Sequence, residues 1–309
     1  MKILHDVHIH NFLSTCSNDN RATVESYIEI ERRQGIRLMG FANHTWDETV
    51  PLPVADYDFY RRQSLSFQQQ IRPQIPADTG ELKVLVGAET EYCGMFDCLG
   101  MSPEGARRLD FLLIPHSHTH MTDFVMPASE NLPLAQEAIA KKLAETVDWL
   151  PFDDLLRVAR RLPHGTVAPF VTERQERIPF VSDFLVKSFD GLMKNQTLNR
   201  LVGTLPISVA HPFQPVGEPH REEILRRIPD EIFGDLFAQA AARGIGLEIN
   251  PWTTDEEERM FRIARACGCR FTLGSDAHTR AELSDIRRQQ SRLDSLGLTE
   301  DDLMDFVRI

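Results

Sequence analysis

The chain opens on a two-residue rhythm. In "KILHDVHIH" (2–10), Ile3, Val7 and Ile9 fall on odd positions, so His8 and His10 share the other face of a predicted strand. The rhythm then lengthens. In "TVESYIEIERRQG", Val24, Tyr27, Ile28 and Ile30 recur near helical spacing, with Thr23 as N-cap and Gly35 as the stop. "IRLMGFANH" predicts a second strand ending at His44, "YDFYRRQSLSFQQQI" a helix, "KVLVGAETE" a third strand and "LDFLLIPHSH" a fourth. The pattern returns late in the chain. "LPISVAHPF" predicts a strand ending at His211, "EIFGDLFAQAAARG" a helix, "IGLEIN" a strand, "DEEERMFRIARACG" a helix, and "RFTLGSDAH" a strand with Asp276 and His278 at its tail.

Strand, helix and strand in this order imply parallel strands in a right-handed β/α wrap. Between His120 and Leu205 a long, mostly helical section interrupts the rhythm, with amphipathic runs near 131–149, 153–161 and 182–202. It reads as a helical insertion on one rim, at about 122–204, within a single domain over 1–309. No internal repeat is visible.

Composition narrows the function classes. A chain of 309 residues can bury a large core, and 42% apolar with 26% charged residues is the composition of a globular protein. The net charge of -12, with no Lys/Arg run, argues against long nucleic acid and against a membrane surface. No apolar run is long enough to cross a bilayer, and Met1 leads into a strand without a secretory signal, so a cytoplasmic protein is expected. Cys93 and Cys98, and Cys267 and Cys269, lack C-x-x-C spacing and read as free thiols.

The histidines change the picture. Of eleven, His8, His10, His44, His118, His211 and His278 lie at or just past predicted strand ends, as do Glu89 and Asp276. In a β/α barrel such ends open onto one face, where distant residues converge on one pocket. A cluster of divalent cations needs that mixture of N and O donors. A single histidine at a strand end is usually a hydrogen-bonded surface group, which is the reading given to His5, His164 and His220.

"DVHIH", "FANH", "GAETEY", "PHSHTHM", "VAHPF" and "GSDAH" stand in the order of the motifs of the PHP (polymerase and histidinol phosphatase) family, which the chain resembles at both ends and in the middle. The resemblance implies an α/β fold, a distorted (β/α)7 TIM-like barrel, with two or three divalent metal ions (Zn, Mn or Fe). It implies that His8, His10, Glu89 and Asp276 hold one ion, and that Glu89 bridges to a second held by His118 and His211. His44 and His278 would hold the third. The remaining family ligand falls six residues after the second histidine, where this chain has Cys16. Either the Cys16 thiolate substitutes, or Asp19 reaches in, or the third site is weak. His116, His118 and His120 alternate, so all three are candidates for the site; His118 is taken as the ligand, with His116 and His120 either behind the ligands or facing the substrate. Glu91 is placed behind the ligands or at the rim. Glu248 and Asn250 either orient ligands or form a strand-end turn before Pro251.

Clustered cations activate water and absorb phosphoryl charge, and no Ser-His-Asp set or P-loop competes. The expected function is hydrolysis of a small phosphomonoester, histidinol phosphate being the precedent in the family that the chain resembles. Asp276, His278 and His118 are candidate proton-transfer residues. Arg174 and Arg177 are candidate phosphate clamps, although solvated arginines are the commoner case. Phosphodiester or short-nucleotide hydrolysis, C–N or ester hydrolysis, and a non-catalytic metal-stabilised binding protein stay open. Oligomeric state is not legible.

Overall fold

The computed structural model describes residues 1–309 except 15, 18, 52–62, 94–96, 119–139, 141–143, 145–150 and 160–173. His120, the run at 131–149 (apart from 140 and 144) and about half of the expected insertion therefore lie outside the described residues.

Parallel strands form two sheets. The first pairs β1 (His5–Ile9), β2 (Leu38–Phe41) and β3 (Lys83–Val86), in that order. The second carries β4 (Ala88–Glu89), β7 (Leu112–Leu113), β8 (Ile207–Val209), β9 (Gly246–Ile249) and β10 (Phe271–Leu273), ordered β10-β9-β8-β7-β4. A separate antiparallel hairpin joins β5 (Tyr92–Cys93) to β6 (Cys98–Leu99). The fold is thus mixed α/β with parallel sheets.

The predicted third strand is real but broken at Gly87: β3 pairs with β2, and β4 pairs with β7. The break has a steric cause. A Cβ at Gly87 would lie 2.5 Å from the Phe111 ring, and one at Gly40 of β2 would lie 2.7 Å from it. The two glycines let that buried ring close against the backbone of both sheets. At the other seam, Asp276 N donates to His8 O at 2.8 Å and His10 N to Ala277 O at 2.9 Å. These bonds tie β1 to the segment after β10, although the ladders do not merge into one ring.

Helix α1 (Val24–Gln34) begins and ends where the pattern predicts. The Thr23 side chain accepts from Ser26 N, and Gly35 takes φ 74° with its N–H bonded to the last turn. Helices α3 (Arg221–Arg227), α4 (Asp230–Ala242) and α5 (Asp255–Ala266) alternate with the last strands of the second sheet and pack on one another, with α2 (Arg174–Lys194) alongside α3 and α4. From α2, Phe184, Leu185, Phe189 and Leu192 are buried. Phe189 stacks on Phe213 with centroids 5.2 Å apart, and Phe213 meets Phe233 and Phe237 of α4. Each buried phenylalanine contributes about 1.5–3 kcal/mol, so α2 is part of the core and not an appendage.

Because the strands are parallel, their C-terminal ends meet at one edge. There stand His10, His44, Glu89, His118, His211, Asp276 and His278. Cys98, Cys267 and Cys269 are free thiols, as expected.

Candidate metal centre

Three groups of ligand atoms converge at this edge, with every atom in a group within 4.8 Å of the others: His8, His10 and Asp276; Glu89, His118 and His211; and His10, Cys16, His44 and His278. All nine residues singled out as metal candidates are thereby brought together. Glu89 links the groups. Its Oε1 lies 3.0 Å from His211 Nε2, and its Oε2 lies 3.0 Å from His44 Nδ1 and 3.5 Å from both His8 Nε2 and His10 Nε2.

The rings are aimed by groups behind them. Glu248 Oε1 is 2.7 Å from His8 Nδ1, and its Oε2 accepts the backbone N–H of His211 at 2.8 Å. Both Glu91 oxygens lie 3.0 Å from His118 Nδ1. Ser117 Oγ is 3.2 Å from His211 Nδ1, and His278 Nδ1 bonds Asp276 O at 2.8 Å. With Nδ1 of His8 and His118 donating to carboxylates, Nε2 of each presents a lone pair. Yet His8 Nε2 lies 3.0 Å from His10 Nε2, and His118 Nε2 lies 3.3 Å from His211 Nε2. Lone pairs facing each other beside a buried carboxylate call for positive charge between them, so the donors fit divalent cations.

The electrostatics say the same. Burial disfavours the charged His8 ring, but Glu248, Asp276 and Glu89 outweigh it and hold its pKa well above the ordinary value. Burial likewise opposes charge on His44 and His211, and Glu89 leads the carboxylates that raise both. Burial would raise the Glu89 carboxyl, but His44 and His8 hold it well below its usual range. Asp276 is lowered too: burial opposes ionisation, and His8, His10 and His278 prevail. Two members of the cluster also sit in the left-handed backbone region, His211 at φ 28° and Asp276 at φ 54°. Strain of that kind persists where surrounding contacts over-determine the geometry.

Between Cys16 and Asp19 the geometry discriminates. Cys16 Sγ lies 3.9 Å from His10 Nδ1. Burial would raise its thiol, but His10 and His44 bring it down to about 2, so it is a thiolate. The Asp19 carboxylate instead accepts from Arg280 Nε at 2.8 Å and from the backbone of Arg21.

Beside the cluster opens a cleft of about 450 Å³, lined by His211 and Asp276 together with Gln214, Glu218, Arg221 and Trp252. It bears on three expectations. His116 does not face it: the ring is fully buried between Phe189 and Phe213, and its Nε2 accepts the N–H of Phe213 at 2.9 Å. The pleat ends at Leu113 and Pro115 follows, so the two-residue alternation stops before His116. Arg174 is exposed and paired with Glu223. Arg177 is paired with Glu218 at 2.6 Å, and neither arginine is among the described residues that line the cleft. Arg221, passed over in the sequence, does line it. It donates to both Glu257 oxygens and to Trp252 O, which fixes the loop after β9. Only its place as the first residue of a short helix, in "HREEILRR", hinted at it.

Parallel sheets with a multi-histidine edge at their C-terminal ends define an α/β protein with a candidate metal centre. Among solved structures, histidinol phosphate phosphatase from Lactococcus lactis, complexed with zinc, L-histidinol and phosphate, matches with a TM-score of 0.51 at 13% identity, covering 96% of this chain and 94% of that one. The likeness is one of fold. The catalytic domain of β-amylase from Paenibacillus polymyxa aligns at a TM-score of only 0.33 and 10% identity, over 96% of this chain and 99% of that one, which supports nothing further. No protein-family model and no curated protein matches the chain.

Proposed function

We propose that the chain is a metal-dependent hydrolase of small phosphomonoesters. It is built on a distorted (β/α)7 barrel, with 122–204 as an insertion of the same domain. The observation that carries the reading is the convergence of three ligand groups linked by Glu89 and His10 beside an open cleft. In this reading His8, His10 and Asp276 hold one ion with Glu89, while Glu89, His118 and His211 hold a second. His10, Cys16, His44 and His278 hold a third. Bound divalent ions supply an activated water and take up charge on phosphoryl oxygens.

The chain's own residues set the rest. His118 is committed on both ring nitrogens, to Glu91 and to the cluster. Asp276 is held ionised, so it acts as ligand or base and does not donate a proton. Burial would lower His278, but the Cys16 bond and Asp276 raise it to about 9. His278 would hold the third ion where that group is filled, and would be the donor to the leaving oxygen where it is not.

The test is turnover by metal-loaded protein of an aryl phosphate monoester against the matching diester and carboxylic ester. We expect the monoester to be hydrolysed fastest, and His8→Ala or Asp276→Ala to lose at least about a hundredfold in kcat. Carboxylic ester turnover alone would return the site to carbonyl chemistry. Turnover of none of the three would leave a metal-binding protein.

A further inference from the structure

Two amides in the cleft wall form a chain with one open end. The backbone N–H of Trp252 can only donate, so the Asn250 atom 3.1 Å away is Oδ1. Nδ2 of Asn250 therefore faces Gln214, at 2.5 Å, and because it too can only donate, the atom it meets is Oε1. Both amide orientations follow, and Gln214 Nε2 is left over as a donor.

That nitrogen has no hydrogen-bond partner among the described residues, although Gln214 is only 4% exposed. Buried donors in folded proteins almost always find an acceptor, so an unfilled one marks a place for a ligand atom. The position suits one. Gln214 N bonds His211 O at 3.1 Å, so the residue sits on the turn leaving the cluster, and it lines the same cleft as His211 and Asp276. The nearby cations are already matched, Arg177 by Glu218 and Arg221 by Glu257. A neutral donor is what this wall offers to an oxyanion.

We propose that Gln214 is a substrate-positioning residue whose amide donates to a non-bridging phosphoryl oxygen, held in that orientation by Asn250 and the Trp252 backbone. The proposal rests on the phosphomonoesterase reading above. Its test uses the full-length, metal-loaded chain as wild type, Gln214→Glu and Gln214→Met. The readouts are KM and kcat for an aryl phosphate, the inhibition constant of inorganic phosphate, and metal content. Gln214→Glu replaces the donor with a carboxylate and should raise both KM and the phosphate inhibition constant by about ten- to a hundredfold. Gln214→Met should raise them by about tenfold. Metal content should be unchanged, and kcat should move less than KM. Asn250→Asp cannot donate to Gln214 Oε1, so it should turn that amide over and weaken phosphate as Gln214→Glu does.

Phosphate inhibition and KM within about twofold of wild type in both Gln214 variants would overturn the proposal. So would loss of metal in step with activity, since Gln214 would then support the cluster and not the substrate. If the wild type neither hydrolyses the ester nor binds phosphate, the phosphomonoesterase reading itself falls and takes this one with it.

Discussion

Cys16 stands in the third ligand group with its sulfur beside three imidazoles, and its charge is set by them. Replacing it tests whether that group holds an ion. Cys16→Ser should cost about one equivalent of bound metal, and Cys16→Asp should keep it, as read by elemental analysis of dialysed protein. Glu248 acts differently, since it touches ligands through their far sides, accepting from the His8 ring and the His211 backbone at once. Glu248→Gln removes the charge that fixes the His8 tautomer. It should weaken metal binding by about ten- to a hundredfold in chelator competition. Glu248 and Glu91 were legible as residues near the site, but their partners were not, because hydrogen bonds between strands depend on register.

At the scale of elements, the loop after β10 is packed with little slack. A Cβ at Gly274 would fall 2.1 Å from Glu248 Oε1 and 2.4 Å from His8 Cβ. Gly274→Ala should therefore destabilise the protein by about 1–3 kcal/mol in urea unfolding and lower metal affinity as well, since it displaces two groups that aim the cluster. Helix α1 was legible to the residue because its caps are local chemistry. The fourth strand was not: β7 spans only Leu112–Leu113, and the histidines beyond it follow loop geometry. The two-residue period predicted His116 and His118 on one face, and the break at Pro115 sent His116 into the aromatic core.

For the whole molecule, the cluster joins the first strand to the last, so metal, proton and fold are linked. His278 is raised to about 9 from 6.5, so alone its contribution to metal-free stability is complete below pH 6.5 and lost as pH rises through 9. Cys16 is lowered to about 2 from 9.0, so its contribution is complete above pH 9 and lost as pH falls towards 2. Between pH 6.5 and 9 the folded pair carries its proton on His278 and the unfolded pair carries it on Cys16. The two slopes cancel, and the pair's stabilisation is flat there, declining only below 6.5. Double-mutant cycles on unfolding of metal-free wild type, Cys16→Ser and His278→Gln across this range check it. Metal binding breaks the balance, because an ion displaces protons from His278 and His44, both raised by their neighbours, but none from Cys16. Affinity at the third group should climb by at least about tenfold per pH unit up to about 9, measured by chelator competition. Chelation should also lower the melting temperature, since an ion held only by the folded chain stabilises it.

The sequence alone determined which side chains carry chemistry and where along the chain they fall. Strand and helix periods are local, and a histidine at a strand's end can be seen without knowing what lies opposite. The resemblance in "DVHIH", "FANH", "GAETEY" and "GSDAH" added an ordered set of candidates. Only the tertiary structure decided which of them meet. It turned Cys16 inward and gave Asp19 to Arg280; it buried His116, and it brought Arg221 and Gln214 to the cleft in place of Arg174 and Arg177. Those choices depend on contacts between residues far apart in the chain, such as the bond from Leu273 N to His5 Nε2 across 268 positions, and no local period records them.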